Sequence, residues 1–291
     1  MPIIDAVSAR VRPVSPEALK QQLLDEVTQF PVGQDAALRL MVMFDDPSVS
    51  TAALGLVVES DVALTVQVLR TANSPYYGLS RRVGSVRQAI TVLGFAMVRS
   101  LAAAKIFKLG ARDSANLPPT FWRHSFTTAA AASVLARTSG SAANDAFSAG
   151  LLLDIGTALL RRHDPARYAE VLNLTAHGTP LVDSEREVFG IAHPEVSGFA
   201  LERLRFPTEV ATAVSEHHLM PARSSGSLGR ALFLADLLAH EIERTSYEAG
   251  TTLDAGLEWL AIDRATANSL IEETRAAVLK IEPLQSLIAT A

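Results

Sequence analysis

The sequence contains no cysteine, few aromatic residues and no long apolar run free of charge. The absence of cysteine excludes disulfides, zinc–thiolate sites, iron–sulfur clusters and cysteine nucleophiles. Aromatic residues make up only 6% of the chain, although hydrophobic residues make up 48%. Alanine and leucine, which favour helices, dominate the apolar content. The composition therefore predicts a mainly helical protein, with 291 residues to form one large domain or two packed lobes.

The chain also lacks an excess of basic residues. The chain has 26 Lys and Arg against 31 Asp and Glu, which gives a net charge of −5 and an isoelectric point near 5.8. This balance provides no broad electrostatic attraction to nucleic acid or to an anionic membrane. No stretch of about 18 apolar residues is free of charge, and residues 1–13 lack the apolar core of a signal peptide. We therefore expect no nucleic-acid or membrane binding and a cytoplasmic location.

Capping residues and prolines divide the chain into helices. Ser50 and Asp61 are predicted N-caps, because their side chains can accept the free backbone N–H groups of a first turn. The predicted helices are 17–29, 34–44, 51–59, 62–72, 86–92, 95–109, 119–137, 144–162, 165–176, 181–189, 193–204, 207–217, 228–243, 254–261 and 264–281. In the fourth helix, the spacing of Val62 and Val66 beside Leu64 predicts burial on more than one side.

Three parts of the chain are predicted. Residues 1–14 form a flexible N-terminal segment, residues 15–117 an N-terminal helical lobe, and residues 118–291 a C-terminal helical lobe. Residues 110–119, with a glycine, an aspartate, an asparagine and two prolines, read as the linker between the lobes. The apolar helices on either side have faces that neither lobe can cover alone. We therefore expect the lobes to pack together and to unfold cooperatively.

The segment Asn73–Gly78 interrupts the helical pattern with the sequence Asn-Ser-Pro-Tyr-Tyr-Gly. Asn73 can end a helix by bonding to nearby backbone, and Gly78 permits a positive φ. Pro75 disfavours the α conformation in the residue before it. We favour a turn that specifies the fold, with a partner-binding surface as the alternative.

The stretch Arg70–Gly78, Arg-Thr-Ala-Asn-Ser-Pro-Tyr-Tyr-Gly, resembles the signature of the HDOD family. The resemblance continues through Ser85, Ala89-Ile90, Leu93-Gly94 and Arg99, and upstream it includes Phe30-Pro31, Asp46-Pro47, Ser60-Asp61 and Leu64. It covers about residues 16–240. The resemblance implies an all-α bacterial module in which an N-terminal bundle packs on a C-terminal bundle like that of HD-domain phosphohydrolases. It also implies a role in signalling, without demonstrated catalysis.

The same resemblance points to a degenerate metal site. HD phosphohydrolases bring a histidine, a His-Asp doublet and a later aspartate onto a divalent metal, which activates water. Here His124 matches the first ligand, Asp154 the second member of the doublet, and Asp236 the last ligand, but Leu153 stands where the doublet needs histidine. Losing one ligand costs on the order of 3 kcal/mol, or about a hundredfold in affinity. Thr157 is a second departure, because metal-dependent relatives often carry lysine there.

Further histidines fall at positions that the resemblance makes relevant. His193, His217 and His218 lie where HD hydrolases contact a second metal or the substrate phosphate. We favour their retention without ligation over an occupied or anion-binding pocket. The remaining histidines, His163, His177 and His240, are predicted to be surface groups. His124 is expected to be a core histidine that donates to Asp154 or Asp236.

A local group of arginines lies in the N-terminal lobe. Its members are Arg70, Arg81, Arg82, Arg87 and Arg99. Arginine can bind phosphate oxygens, so a nucleotide or phosphate site is conceivable. No glycine-rich phosphate loop or set of stacking aromatics accompanies the group, and we favour a solvated face.

These observations favour a non-catalytic signalling or regulatory module that acts as a protein-interaction scaffold. We expect no catalytic residue, no cofactor and no bound metal at the vestigial positions, and we expect a protein partner; a homodimer is compatible with the sequence. One alternative is a divergent metal-dependent phosphohydrolase or phosphodiesterase that acts on a nucleotide second messenger. Another is a nucleotide sensor that uses the same pocket for binding alone.

Overall fold

A computed structural model of the protein describes residues 15–28, 35–107, 117–139, 142–220, 226–245 and 251–289. Every regular element within these ranges is helical, which confirms the all-α prediction. The predicted flexible segment 1–14, Phe30-Pro31, residues 110–116 of the predicted linker and residues 221–225 of the loop before the helix at 228 lie outside the described residues.

The N-terminal half contains five α-helices and one short 3₁₀ turn among the described residues. They are α1 (Pro16–Thr28), α2 (Ala36–Met43), α3 (Thr51–Glu59), α4 (Val62–Ala72), the 3₁₀ turn Pro75–Tyr77, and α5 (Val86–Ile106). Ser50 and Asp61 accept backbone N–H groups at the starts of α3 and α4, as predicted. The prediction that α4 is buried on more than one side is wrong, because Val62 is 80% exposed and Val66 46% exposed. Both side chains are exposed in the part of the chain that the structure describes, whereas Leu64 lies in the core.

Helix α5 changes direction at Gly94, as the predicted boundary between helices 86–92 and 95–109 requires. Gly94 has φ 76° and ψ 163°, a conformation that essentially only glycine adopts. By length and composition alone α5 is apolar enough to cross a membrane, but 61% of its apolar window is buried inside the protein. Burial of this kind is typical of a core helix.

The segment Asn73–Gly78 is held as a turn by the side chain of Asn73. Its Nδ2 donates to the carbonyl oxygens of Leu69 and Val83 at 2.8 and 2.9 Å, and its Oδ1 accepts from the backbone N–H of Val83 at 2.8 Å. Gly78 closes the 3₁₀ turn with φ 59°. These bonds join two backbone segments ten residues apart, which supports the structural interpretation of the motif.

The C-terminal half contains the remaining helices. They are α6 (Pro119–Thr138), α7 (Ala143–Leu151), α8 (Ile155–His163), α9 (Pro165–Ala176), α10 (Leu181–Phe189), α11 (His193–Arg203), α12 (Thr208–Ser215), α13 (Ser227–Glu243), α14 (Leu253–Leu260) and α15 (Arg264–Ala289). The predicted single helix 144–162 is wrong, because it ends at Leu151 and a new helix begins at Ile155. The cause is tertiary packing. Gly150 lies against the backbone of Ala129 in α6, and Gly156 lies against the backbone of His193 in α11.

Helix α6 lies at the centre of the C-terminal half, where α7, α13 and α15 pack around it. Helix α11 packs on α8 and α12, while α5 packs on α7. Helix α15 also contacts α4 and the 3₁₀ turn, so it joins the two halves. One hydrophobic core runs through both halves, and polar side chains interrupt it where α6, α8, α11 and α13 meet.

Candidate metal centre

Six of the seven vestigial positions converge in the structure. Together with His240 they form what we call the histidine–aspartate centre: His124, Asp154, His193, His217, His218, Asp236 and His240. Leu153, the seventh position, is fully buried among apolar residues. The centre therefore brings five imidazoles around two carboxylates within the protein interior.

Local structure places each of these groups. Asp154 lies in the break between α7 and α8, and Gly156 permits that break to sit directly against His193. A side-chain Cβ at Gly156 would lie 2.2 Å from the carbonyl oxygen of His193, which is too close for any other residue. The backbone N–H of Gly156 donates to Ser197 Oγ at 2.8 Å and fixes the two helices together.

Asp236 organises one side of the centre. His124 Nε2 lies 2.9 Å from Asp236 Oδ1, so the prediction of a core histidine bonded to an aspartate is confirmed. His240 Nε2 lies 3.7 Å from the same oxygen, and His218 Nδ1 lies 3.6 Å from Oδ2. Burial alone raises the pKa of Asp236, but the neighbouring His240 and His124 hold this pKa far below the usual carboxyl range. Asp236 is therefore a carboxylate despite its burial.

Asp154 organises the other side. Its Oδ1 lies 3.4 Å from His217 Nε2 and 3.6 Å from His193 Nε2, and its Oδ2 lies 3.7 Å from His124 Nε2. Burial alone raises the pKa of Asp154, but His217 and the other two imidazoles lower it well below the ordinary value. Asp154 thus faces His193 and His217 through Oδ1 and His124 through Oδ2.

The outward nitrogen of four imidazoles is bound to the protein. The Nδ1 partners are Glu243 Oε2 for His124 at 3.3 Å, Glu185 Oε2 for His193 at 2.7 Å, the Val214 carbonyl for His217 at 2.6 Å, and Thr245 Oγ1 for His240 at 2.7 Å. Carboxylate and carbonyl oxygens only accept, so each Nδ1 of His124, His193 and His217 carries a proton, and His124 Nε2, which donates to Asp236 Oδ1, carries a second one. Their Nε2 atoms point inward at the aspartates. Histidines that ligate metals are held in the same way.

The prediction that His240 is a surface residue is wrong. His240 is only 6% exposed, and Asp236 lies one helical turn before it on the buried face of α13. Residues four apart share a helix face, so this spacing was the available signal. Of the other two histidines predicted at the surface, His177 is exposed and His163 is half-buried. The orienting carboxylates Glu185 and Glu243 were also missed by the sequence interpretation.

The donors present fit a divalent cation. The ligand atoms of His124, Asp236 and His240 all lie within 4.8 Å of one another, and so do those of His193, His217 and His218. Imidazole nitrogen and carboxylate oxygen are ligands that zinc, iron and manganese accept. His217 Nε2 and Asp236 Oδ2 are buried and form no hydrogen bond within the described part of the chain. Two buried polar atoms directed into the centre are the arrangement that a cation would complete.

A cavity of about 250 Å³ adjoins the centre. The cavity is lined by His124, Asp154, His240 and Glu243, together with Thr157, Tyr168, Arg123 and Arg161. The cavity is thus lined by two guanidinium groups near the centre.

The N-terminal arginines lie elsewhere. Arg70, Arg81, Arg82 and Arg87 are exposed, as the solvated-face interpretation predicts, whereas Arg99 is half-buried and donates to the Phe44 carbonyl at 3.0 Å.

Helices arranged around a buried histidine–aspartate centre define an HD-like helical domain. The family model of the HDOD domain matches residues 30–220. The chain therefore belongs to the HDOD family, as the sequence resemblance predicted. An uncharacterized protein of Treponema pallidum (strain Nichols) is 20% identical to it over 210 residues. That alignment covers 70% of this chain and 40% of the relative, so the chain spans well under half of the relative's length.

Solved structures from several bacteria have a similar fold, and three of them are compared below. A proposed phosphohydrolase from Shewanella amazonensis has a TM-score of 0.70 at 22% identity, covering 92% of this chain and 98% of that chain. A proposed signal transduction protein from Marinobacter aquaeolei has a TM-score of 0.70 at 22% identity, with 95% and 67% covered. An HDOD domain protein with unknown function from Geobacter sulfurreducens has a TM-score of 0.64 at 21% identity, with 93% and 96% covered. At these identities the likeness establishes the fold alone.

Proposed function

We propose that this protein is a non-catalytic module of bacterial signal transduction, working in the cytoplasm as a scaffold for a protein partner. Membership in the HDOD family supports a signalling role, and so does the name of the Marinobacter protein with the same fold. The choice of a scaffold over an enzyme rests on the centre itself and on the apolar surface of the N-terminal half.

The observation that carries the proposal is the burial of three members of the centre, which do not line the cavity. Asp236 is 1% exposed, and His193 and His217 are equally inaccessible. A catalytic metal needs an open coordination position that substrate and water can reach. Glu243 and His240 line the cavity whereas Asp236 does not, and the carboxylate of Glu243 repels an anionic phosphoester. Leu153 adds no ligand, because it is a buried hydrocarbon side chain.

The second support is the apolar surface on α3 and α4. Leu56 is 71% exposed, and the exposed Val62 and Val66 lie one turn apart on the same face of α4. We infer that these side chains form part of one apolar surface, and contiguous exposed apolar surface is typical of protein-binding sites. The occupant is a protein partner, or a second copy of the chain in the homodimer alternative.

Hydrolysis assays test the absence of catalysis. The purified protein, loaded with Mn²⁺, is incubated with bis(p-nitrophenyl) phosphate and with cyclic dinucleotides, and the Asp154→Ala/Asp236→Ala variant gives the background. We expect equal product from both proteins. Hydrolysis by the wild type that the double variant loses would overturn the non-catalytic proposal.

Partner capture tests the scaffold. Tagged wild type and a Val62→Lys/Val66→Lys variant are used as baits in lysate of the native host, with Leu172→Lys on α9 as a control for an exposed apolar residue elsewhere. We expect one protein to bind the wild type and the control but not the α4 variant. Equal capture by all three baits would contradict a role for this face. Light scattering of the same proteins separates a homodimer from a different partner.

The second candidate is a metal-dependent phosphohydrolase or phosphodiesterase acting on a nucleotide second messenger. The cavity favours it, because Arg123 and Arg161 are placed to bind phosphate oxygens beside His124 and Asp154. A nucleotide sensor would use the same groups without turnover. Calorimetric titration with a cyclic dinucleotide separates the two: binding that Arg161→Ala abolishes, without any hydrolysis, is the result expected of a sensor.

A further inference from the structure

We infer that His240 replaces the histidine missing at position 153, and that the protein binds a divalent transition-metal ion through His124, Asp154, Asp236 and His240. The inference goes beyond the proposed function, since a module without catalysis can hold a structural metal. The expectation of no bound metal rested on a count of three surviving ligands. His240 brings the count back to four.

The new ligand comes from the helix that already carries Asp236. On α13, Asp236, His240 and Glu243 occupy positions i, i+4 and i+7, which lie on one face of a helix. The doublet position belongs to another element, the break between α7 and α8. The fourth donor has therefore moved from one wall of the centre to another. It remains beside His124, whose ring centroid is 4.5 Å from that of His240.

The distances between donors suit a bound ion. Two ligand atoms that each lie about 2.1 Å from a tetrahedral metal are about 3.4 Å apart. Asp236 Oδ1 is 2.9 Å from His124 Nε2 and 3.7 Å from His240 Nε2, so these distances bracket the required value. Asp154 Oδ2 is 3.7 Å from His124 Nε2, within the same range. The ligand atoms of His124, Asp236 and His240 all lie within 4.8 Å of one another, and Asp154 joins them through its contact with His124.

The orientation of the imidazoles also suits an ion. Thr245 Oγ1 lies 2.7 Å from Nδ1 of His240, and Glu243 lies 3.3 Å from Nδ1 of His124. Thr127 Oγ1 donates to the second oxygen of Glu243 at 2.8 Å and so fixes that carboxylate. Partners of this kind hold the ring and leave Nε2 to the metal. Both members of the pair thus have an orienting group on the side away from Asp236.

The buried carboxylates of the centre also favour a bound cation. Asp154 and Asp236 are buried carboxylates, and Glu243 adds a third acidic group whose side chain is nearly inaccessible. Buried carboxylates are unstable without positive charge close by. Arg123 is the one lysine or arginine that an ion pair joins to these three groups within the described ranges, and it reaches Glu243 at 3.9 Å from an exposed position. Imidazoles of the centre, His124 among them, supply positive charge when no ion is bound, and a divalent cation between the aspartates would take over that role.

Metal titration of the whole chain tests the inference. Protein stripped with chelator and dialysed is titrated calorimetrically with Mn²⁺ and with Zn²⁺, and the metal content is then measured by elemental analysis. The variants are His240→Ala, Thr245→Val and, as a control, His177→Ala, which removes an exposed histidine outside the centre. Circular dichroism verifies that each variant is folded.

We expect the wild type and His177→Ala to bind with equal affinity. His240→Ala should bind about a hundredfold more weakly, and Thr245→Val, which keeps every ligand, about tenfold more weakly. Thr245 is exposed, so this variant provides a readout even if His240→Ala fails to fold. Negligible binding of both ions by the wild type would overturn the inference, as would unchanged affinity in the folded His240→Ala and Thr245→Val proteins. These readouts are independent of hydrolysis, so they separate this inference from the proposed function.

Discussion

The imidazole of His240 lies against that of His124, with ring centroids 4.5 Å apart and planes tilted by 44°. One ring belongs to α13 and the other to α6, so the contact joins two central helices of the C-terminal half. Both rings approach the same oxygen of Asp236. The stability of the centre therefore depends on how closely the surrounding helices pack, and glycine at position 156 is the first determinant of that packing.

Gly156→Ala should destabilise the protein by about 1–3 kcal/mol, because the new methyl group would collide with the backbone of His193 and force α8 away from α11. Gly55→Ala is the matched control: Gly55 lies within α3 and has no atom within 4 Å of an added Cβ. We expect this control to stabilise the protein by up to about 1 kcal/mol, since alanine restricts the unfolded chain. Urea unfolding measures both free energies, and equal values would contradict the close approach.

Glu185→Ala should cost about 3 kcal/mol or more of unfolding free energy. Glu185 is fully buried and accepts from the backbone N–H and Nδ1 of His193, both at 2.7 Å, and from the hydroxyl of Tyr168 at 3.2 Å. Its removal leaves buried donors without their acceptor. Glu187→Ala, on the exposed face of the same helix, should change stability by no more than about 0.5 kcal/mol. A small effect at position 185 would mean that water replaces the carboxylate.

Much of the helical pattern could be predicted from sequence. Helices α3, α4, α9 and α10 have the predicted bounds, because caps and prolines mark their ends locally. The break at residues 152–154 has no such local mark: the run Leu-Leu-Leu-Asp-Ile-Gly favours a continuous helix. The break arises from close contacts of Gly150 and Gly156 with helices that are distant in sequence. Tertiary packing overrides helix propensity at this point.

The candidate site, like the helical pattern, was predictable only in part. His124, Asp154 and Asp236 were identified by a family pattern that fixes their order along the chain. His240 lies outside that pattern, among polar neighbours that favour an exposed helix end, and only its spacing from Asp236 indicated a shared face. Glu185 could not be assigned at all, because its role depends on the turn that brings His193 back to α10.

Leu153→His should compensate for the loss of His240. In a His240→Ala background, the added imidazole beside Asp154 gives the centre a fourth donor again, and Mn²⁺ affinity should rise at least about tenfold over His240→Ala alone. Leu152→His is the control, since it places the same side chain one residue away in the same break between α7 and α8. Calorimetric titration compares the two double variants. Unchanged affinity in a folded Leu153→His/His240→Ala protein would mean that position 153 no longer faces the ligands.

The two halves of the molecule should unfold in one transition. Several side-chain contacts join them. Tyr76 OH lies 2.9 Å from Ser133 Oγ, the Tyr76 ring packs 4.9 Å from Phe147, Arg162 donates to the Phe107 carbonyl at 2.6 Å, and Arg205 pairs with Asp45 at 2.6 Å. Helix α15 also packs against α4. Because one core crosses the boundary, neither half should retain its stability without the other.

Scanning calorimetry tests this cooperativity. We expect a single peak whose calorimetric and van't Hoff enthalpies agree, as two-state unfolding requires. Tyr76→Ala should lower the midpoint of the whole peak, because it removes a hydrogen bond and a ring contact that span the boundary. Leu79→Ala, at an exposed position nearby, should leave the midpoint nearly unchanged. Two separated peaks, or a fragment 118–291 that unfolds at the same midpoint as the whole chain, would show that the lobes are independent domains and that the boundary contacts contribute little.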